Sequence, residues 1–166
     1  MLAACQNLQD RVLIMLGCSL GLRRRDIQDL QWVNADLRDP EAATLTYSEH
    51  KKGSRIRTLP IGPNLAREMI ILRNTQPKSQ KTIFSFKSRQ AYNRFNRAVR
   101  IAGIRPGESV PFHAMRATAV KFMQAKGWSI EMIAELTGDT IRTLQMHYSV
   151  PSKSELAEAA KEREVV

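Results

Sequence analysis

Cysteine is scarce in this chain of 166 residues, which holds only Cys5 and Cys18. Two cysteines without close spacing fit neither a structural zinc site nor the dense disulfide scaffold of a small secreted domain. We therefore expect both thiols to be reduced and to serve as ordinary packing side chains. The sequence accordingly predicts no metal site.

Long apolar segments are also missing. No apolar run approaches the roughly 20 residues that a membrane-spanning helix needs. Residues 1–5 mimic a lipoprotein cleavage box, but the charged and apolar regions that must precede such a box are absent. The sequence therefore predicts a soluble, cytoplasmic protein without a membrane partner. A chain of this length buries roughly 70% of its unfolded surface, so one ordinary core is expected.

Acidic side chains are few relative to basic ones. The chain has 16 Asp and Glu against 26 Lys and Arg, which gives a net charge of +10. The excess lies in residues 1–151, because segment 152–166 holds slightly more acidic than basic side chains. A field of this sign attracts polyanions, and phosphate contact with nucleic acid is its commonest cause in a soluble domain.

The periodicity of apolar residues predicts a mainly α fold with a small antiparallel β-hairpin or sheet. Residues 1–7 resemble the last turns of an earlier helix, and a loop is expected after Trp32. Alternating residues at 44–47 and 56–61 flank Lys51 to Ser54 and predict a hairpin with lysines near its tip. Helices are expected near 7–20, 24–32, from Pro63 to about 74, 89–103, 112–126, 130–137 and 140–148, with Ser129 and Thr140 as N-caps.

The helix predicted near 89–103 is strongly basic on one side. Its arginines lie off the apolar face, and no acidic residue separates the first from the last. Such a run is usually a solvated face, but the missing acidic neighbours favour contact with DNA phosphates. The arginines concerned are Arg89, Arg94, Arg97 and Arg100.

Cationic donors also gather at two helix starts. The run Arg23 to Arg25 lies where one helix ends and the next begins, a place where side chains and backbone amides can converge on an anion. A plain basic patch would give the same pattern. His113 and Arg116 are three residues apart and share one helical face, where both could reach one phosphate. The separate face expected toward the core is formed by Met115, Ala119, Phe122 and Met123.

A lone histidine at a helix start is usually a cap, and a lone tyrosine such as Tyr148 usually packs. The order and spacing of all these residues together, however, resemble the tyrosine recombinase or phage integrase family, whose pattern is Arg, Lys, His-x-x-Arg, His or Trp, and Tyr. Residues 20–30 are similar to its first box, with Arg23 as the arginine and Asp26 as the acid. Lys52 stands eight residues before Pro60, with Lys51 as the alternative. Residues 111–116 resemble the His-x-x-Arg box, and 136–139 followed by Tyr148 resemble the last box.

The resemblance implies a catalytic domain that cuts and rejoins DNA without a cofactor. In that scheme Tyr148 attacks the scissile phosphate and forms a 3′-phosphotyrosyl link, while Lys52 protonates the leaving 5′-oxygen. The transition state would be stabilised by Arg23, His113 and Arg116, with Asp26 orienting the first arginine. The implied partners are double-stranded DNA and further copies of the chain in a dimer or tetramer. Further DNA contacts are expected from Arg24, Arg25, Lys51, Arg89, Arg94, Arg97 and Arg100.

One position departs from the family pattern, because Asp139 stands where a His or Trp donor is expected. An ionised carboxylate only accepts hydrogen bonds and would repel a phosphate. Asp139 therefore either caps the following helix or restrains activity. It is also the main argument for a second interpretation, a DNA-binding relative without catalysis.

A third interpretation is a metal-dependent DNA nuclease. Asp39 and the fragment Glu49-His50-Lys51 contain the acid-x-Lys pattern that such enzymes use to hold magnesium. The pattern is short and common. A type IB topoisomerase would share the tyrosine chemistry and differ only in its substrates.

Two segments lie outside this catalytic scheme. Residues 1–151 are expected to form the catalytic domain, and 152–166 a tail helix that begins with a capping box and carries a small apolar stripe. The family often inserts this tail into a neighbouring protomer, so docking is expected here, with packing on its own domain as the alternative. Family members usually carry an N-terminal DNA-clamping domain, which is expected to be missing from this chain.

Overall fold

The computed structural model describes residues 1–50, 55–105, 107–148 and 157. The described part is mainly helical and holds one small three-stranded antiparallel sheet, which confirms the predicted fold class. The chain forms two compact units, Met1–Ala119 and Val120–Val166. The predicted general acid Lys52, its alternative Lys51 and the tail 152–166 except Ala157 lie outside the described residues.

The first unit opens with a short 3-10 helix, Leu2–Ala4, followed by α1, Leu8–Ser19. The sequence suggested that residues 1–7 are the last turns of an earlier helix. The structure shows instead a separate 3-10 turn at Leu2–Ala4. The chain is extended at Asn7, whose side-chain oxygen accepts from the Asp10 N–H at 3.0 Å and caps α1. Polar capping of this kind satisfies a first-turn amide that has no partner within the helix.

Three more helices and the start of a fourth belong to this unit. They are α2, Arg24–Gln28, then α3, Pro63–Asn74, α4, Ser88–Ile101, and α5, Ala114–Ala125, within which the unit boundary falls. α2 is shorter than predicted, and a 3-10 helix at Trp32–Asn34 follows it. Pro63 opens α3, where its missing N–H has no helical partner to lose.

The sheet contains the predicted hairpin and one additional strand. Strand β2, Thr44–Ser48, pairs with β3, Ile56–Pro60, in a register that places Tyr47 opposite Arg57. The short strand β1, Ala35–Asp36, pairs with the other edge of β2, in a segment where a loop was expected. The sheet order is therefore β1-β2-β3.

The core of the first unit is built around α1, which packs against α3 and α4. Its apolar residues Val12, Leu13 and Leu16 are fully buried. The facing side chains are Leu65, Met69 and Leu72 of α3 and Ala91, Phe95, Ala98 and Val99 of α4. Because these positions recur every three or four residues, each helix directs one apolar stripe inward.

The second unit contains the end of α5, then α6, Ile130–Thr137, and α7, Ile141–His147. The predicted caps are confirmed, since Ser129 accepts from the Met132 N–H and Thr140 from the Thr143 N–H. Gly138 ends α6 with a φ of 73°, a conformation that glycine adopts without a steric penalty.

One predicted core residue of α5 is misplaced. Phe122 is 60% exposed, whereas Arg116, Ala119, Val120 and Met123 are buried. These four positions define the centre of the buried stripe, and Phe122 falls about 100° from it around the helix axis.

No helix in the described part of the chain is long and apolar enough to span a membrane.

Candidate active site

The predicted catalytic arginine Arg23 stands directly before α2, in extended backbone. The chain reaches it through Gly21, whose positive φ of 64° turns the backbone between α1 and α2. The Arg23 side chain is 22% exposed and is therefore partly open to solvent. Its neighbours Arg24 and Arg25, which were predicted to contact DNA, are exposed in the first turn of α2.

The carboxylate on Arg23 comes from the sheet. Nη1 of Arg23 donates to Oε1 of Glu49 at 3.2 Å. Nη1 of Arg57 lies 3.9 Å from the same oxygen. Glu49 follows β2, and its backbone N–H donates to the Arg55 carbonyl at 2.9 Å. The partly exposed Arg23 and the buried Arg57 therefore share the carboxylate of Glu49, whose backbone is held in the hairpin.

The acid of the first box, Asp26, is buried in α2 and contacts the same end of the hairpin. Its Oδ1 accepts from the His50 backbone N–H at 3.0 Å and lies 3.1 Å from the His50 Nδ1. The other ring nitrogen, Nε2, lies 2.7 Å from Oδ2 of Asp29. Asp26 therefore connects the hairpin to α2 through His50, and its expected role in orienting Arg23 stays a prediction.

The second predicted arginine, Arg116, lies in the first turn of α5 and is 2% exposed. Its Nη1 donates to the carbonyl oxygen of Gly21 at 2.5 Å. Arg116 therefore lies against the loop that carries Arg23, although 93 positions separate the two in the sequence. The structure thus brings the two predicted arginines of the first unit to one loop.

His113 lies just before α5 rather than inside a helix starting at Phe112, because residues 112–113 form a turn. Its carbonyl accepts from the Ala117 N–H, and its side chain is exposed. His113 is therefore one residue outside α5, whereas Arg116 is inside it. The histidine faces solvent, whereas the arginine is buried.

Tyr47 lies among the charges of this site. The pKa of Tyr47 is raised to about 12, mainly because the side chain is buried; Arg57 and Arg116 lower it, and Glu49 and Asp26 raise it. The hydroxyl is therefore neutral under ordinary conditions. The charges that act on this hydroxyl come from α2, from the hairpin and from the start of α5.

The basic helix α4 has an acidic partner that was not expected. Asp10 of α1 is 2% exposed, and its two oxygens accept from Arg94 at 2.7 Å and from Arg97 at 2.9 Å. No acidic residue lies between Arg89 and Arg100 in the sequence, but two of the four arginines have a carboxylate partner from a distant segment. Arg89 and Arg100 are exposed.

The predicted nucleophile Tyr148 belongs to the second unit. It ends α7, where its backbone N–H donates to the Leu144 carbonyl, and its side chain is 9% exposed. Asp139 is half-buried and precedes this helix, but the cap is Thr140. The capping role considered for Asp139 is therefore filled by its neighbour.

The fragment that suggested a metal-dependent nuclease has other partners. Glu49 faces Arg23 and Arg57, and His50 lies between Asp26 and Asp29. Within residues 1–50, 55–105 and 107–148, no group of three or more His, Cys, Asp or Glu side chains is arranged to hold a metal ion. Cys5 and Cys18 are both free thiols, as expected.

Two residues of the site, Glu49 and Arg57, were not predicted as parts of it. Strand alternation carried a signal for Arg57, since it shares a face with buried Leu59. Glu49 lies two residues beyond Tyr47 and likewise points to the buried side of the hairpin. A buried arginine and a buried glutamate on paired strands indicate an ion pair.

The comparisons with known proteins show the family and the fold. The profile of the Phage integrase family matches residues 1–155, so the chain belongs to that family. The structure is similar to XerA recombinase, with a TM-score of 0.80 and 17% identity over 99% of this chain and 60% of that chain. No curated protein matched the chain.

Two integrase structures are similar as well. The catalytic domain of bacteriophage HP1 integrase matches with a TM-score of 0.66 and 23% identity, over 99% of this chain and 89% of that chain. A lambda integrase dimer bound to a COC′ core site matches with a TM-score of 0.68 and 18% identity, over 90% of this chain and 45% of that chain. At these identities the likeness shows a shared fold. The chain spans 60% of XerA and about half of the lambda integrase chain.

Proposed function

We propose that this chain is the catalytic domain of a site-specific DNA recombinase that cuts and rejoins strands through a tyrosine. The observation that carries the proposal is the contact between Arg116 and the Gly21 carbonyl. It places two arginines from distant boxes at one loop, and a phosphate whose charge rises in the transition state needs such converging donors. Membership of the Phage integrase family supports the same activity.

In the proposed reaction the Tyr148 hydroxyl oxygen attacks the scissile phosphorus and releases its proton to water. The bond from phosphorus to the 5′-oxygen breaks, and Lys52 gives that oxygen a proton. A 3′-phosphotyrosyl bond and a free 5′-hydroxyl result. A 5′-hydroxyl from a partner strand then reverses the step. The five-coordinate phosphorus is stabilised by Arg23, Arg116 and His113. No cofactor takes part.

We infer that the partners are double-stranded DNA and other copies of the chain, in the cytoplasm. The lambda integrase relative forms a dimer on its core site, which supports this assignment. Residues 1–151 act as the catalytic domain, and segment 152–166 docks on a neighbouring protomer. The surface arginines Arg24, Arg25, Arg89 and Arg100 are exposed and suit phosphate contacts, to which Lys51, Arg94 and Arg97 contribute.

The test is covalent capture on DNA. A library of nicked duplexes with random sequence around the nick is incubated with the chain, and duplexes bound covalently to protein are recovered and sequenced. A suicide substrate made from the recovered site should form an adduct at Tyr148, in the presence of EDTA, and Tyr148→Phe should form none. His147→Phe, a change at the neighbouring position, is the matched control.

Three results would contradict the proposal. An adduct that persists in Tyr148→Phe would place the nucleophile elsewhere. Cleavage that stops in EDTA would favour a metal-dependent nuclease. Tight binding of DNA with no duplex recovered in covalent form would favour the relative without catalysis, for which Asp139 is the reason.

A further inference from the structure

Arg23 and Arg57 meet at one atom of the molecule, Oε1 of Glu49. The distances from their Nη1 atoms to this oxygen are 3.2 Å and 3.9 Å. The Glu49 side chain is 9% exposed, and that of Arg57 is 4% exposed. The carboxylate is therefore a largely buried counter-ion for two guanidinium groups, one of which is the arginine assigned to the scissile phosphate.

We propose that Glu49 is a positioning residue, which holds the guanidinium of Arg23 in the orientation that receives the scissile phosphate. The proposal rests on the proposed recombinase function. An arginine side chain has several rotatable bonds, and fixing it before the substrate arrives lowers the cost of binding the transition state. Glu49 itself does not touch the substrate in this arrangement.

The geometry leaves Arg23 able to bind a phosphate while Glu49 holds it. A guanidinium has five N–H donors in a plane, and the contact with Glu49 uses Nη1. The Arg23 side chain keeps 22% of its surface exposed, whereas Arg57 is enclosed. Two positive charges on one carboxylate leave an excess of positive charge, so the local field still attracts an anion.

The position of Glu49 is fixed from both sides. Its own N–H is held by the Arg55 carbonyl across the hairpin, at 2.9 Å. The next residue, His50, is held by Asp26 of α2 through its backbone N–H at 3.0 Å. Because Arg23 directly precedes α2, these contacts fix the carboxylate relative to the backbone that carries the arginine. A rigid support of this kind is what a positioning residue requires.

The experiment measures single-turnover cleavage of a suicide substrate together with equilibrium binding of the same DNA. Glu49→Gln keeps the size of the side chain and removes its charge. The adduct should form roughly tenfold more slowly or worse, but by less than the 10²–10³ expected for losing the arginine itself. DNA affinity should be unchanged or slightly higher, because a negative charge is lost. The matched control is Glu41→Gln, which removes an exposed carboxylate paired with Arg67.

A double-variant comparison separates positioning from general stability. If Glu49 acts through Arg23, Arg23→Ala and Arg23→Ala/Glu49→Gln should cleave at the same rate, because nothing remains to be positioned. This comparison still applies if Glu49→Gln alone fails to fold. The double variant loses one positive and one negative charge, so the group of Arg23, Arg57 and Glu49 keeps the net charge that it has in the wild type. A substrate with a 5′-thiol leaving group should rescue Lys52→Ala and should not rescue Glu49→Gln, because Glu49 acts on the phosphate side.

The outcomes distinguish this proposal from the proposed function. A wild-type chain that forms no adduct at Tyr148 removes the function on which the proposal rests. A wild-type chain that cleaves, with Glu49→Gln equally fast or faster, overturns the positioning role alone. A double variant much slower than Arg23→Ala, or rescue of Glu49→Gln by the thiol substrate, would overturn it as well.

Discussion

Gly17 lies in α1 at a point of very close approach to α5. A Cβ placed on Gly17 would lie 2.7 Å from Sδ, 2.8 Å from Cε and 3.1 Å from Cβ of Met115. Met115 is 2% exposed, so its thioether cannot simply move into solvent. Gly17→Ala should therefore push the start of α5 away from α1.

Two opposing terms decide the size of the effect. Alanine favours a helix over glycine by about 0.8–1.0 kcal/mol, whereas overpacking a core costs about 1–3 kcal/mol. We expect a net loss of about 1 kcal/mol, or a Tm lower by about 2–4 °C for a chain of this size. Because Arg116 follows Met115 directly, cleavage of a suicide substrate should slow as well.

The Met115→Ala background gives the critical test. This change removes the Sδ and Cε atoms and leaves only Cβ, at 3.1 Å from the new methyl group. Because the truncated side chain leaves room for that contact to relax, the helix preference should dominate. Gly17→Ala should then stabilise the chain by about 1 kcal/mol. The resulting coupling of about 2 kcal/mol exceeds the 0.3–0.5 kcal/mol expected of independent sites. Urea midpoints followed by circular dichroism measure it, and equal effects of Gly17→Ala in both backgrounds would refute the predicted clash.

Three further predictions concern the site and the thiols. Arg23→Ala and Arg116→Ala should each slow adduct formation by roughly 10²–10³ with little loss of nonspecific DNA binding; equal losses in both assays would indicate simple phosphate anchoring. Asp139→Asn should change the cleavage rate less than tenfold, and Asp139→His should keep or raise it, whereas a hundredfold loss in a folded Asp139→Asn would show that the carboxylate serves the chemistry. Burial raises the pKa of Cys18 to about 11 from 9.0, so below pH 9 its thiolate fraction is roughly a hundredfold smaller than in the unfolded chain. Alkylation of Cys18 should rise steeply toward pH 11 in the native protein, and a plateau near pH 9 would contradict the shift.

The sequence predicted those parts of the fold that repeat within a short window. The stripe of Val12, Leu13 and Leu16 and the alternation in β2 and β3 are local patterns, and both elements formed where they indicated. The cap of α7 was equally local, because Thr140 needs only the amide of Thr143. Such features depend on propensity and nearest neighbours.

Contacts between distant segments could not be predicted from local sequence patterns. The acidic partner of Arg94 and Arg97 lies in α1, so the sequence of α4 alone does not reveal it. Phe122 belonged to an apolar stripe by spacing, but the buried centre of α5 is set by what packs against it. Arg23 and Arg116 were assigned to one site by resemblance, and only the fold shows that they share the Gly21 loop.

The ion pair between α1 and α4 also bears on how the chain folds during synthesis. Asp10 precedes Arg94 by 84 residues and Arg97 by 87. At about 5–20 residues per second, a ribosome needs roughly 4–17 seconds to add that length. During this interval burial of Asp10 in its native place would leave a carboxylate without its two arginines, which is unfavourable. We therefore expect α1 to remain loosely associated until α4 has left the ribosome, so that the first unit folds late and in a single cooperative step.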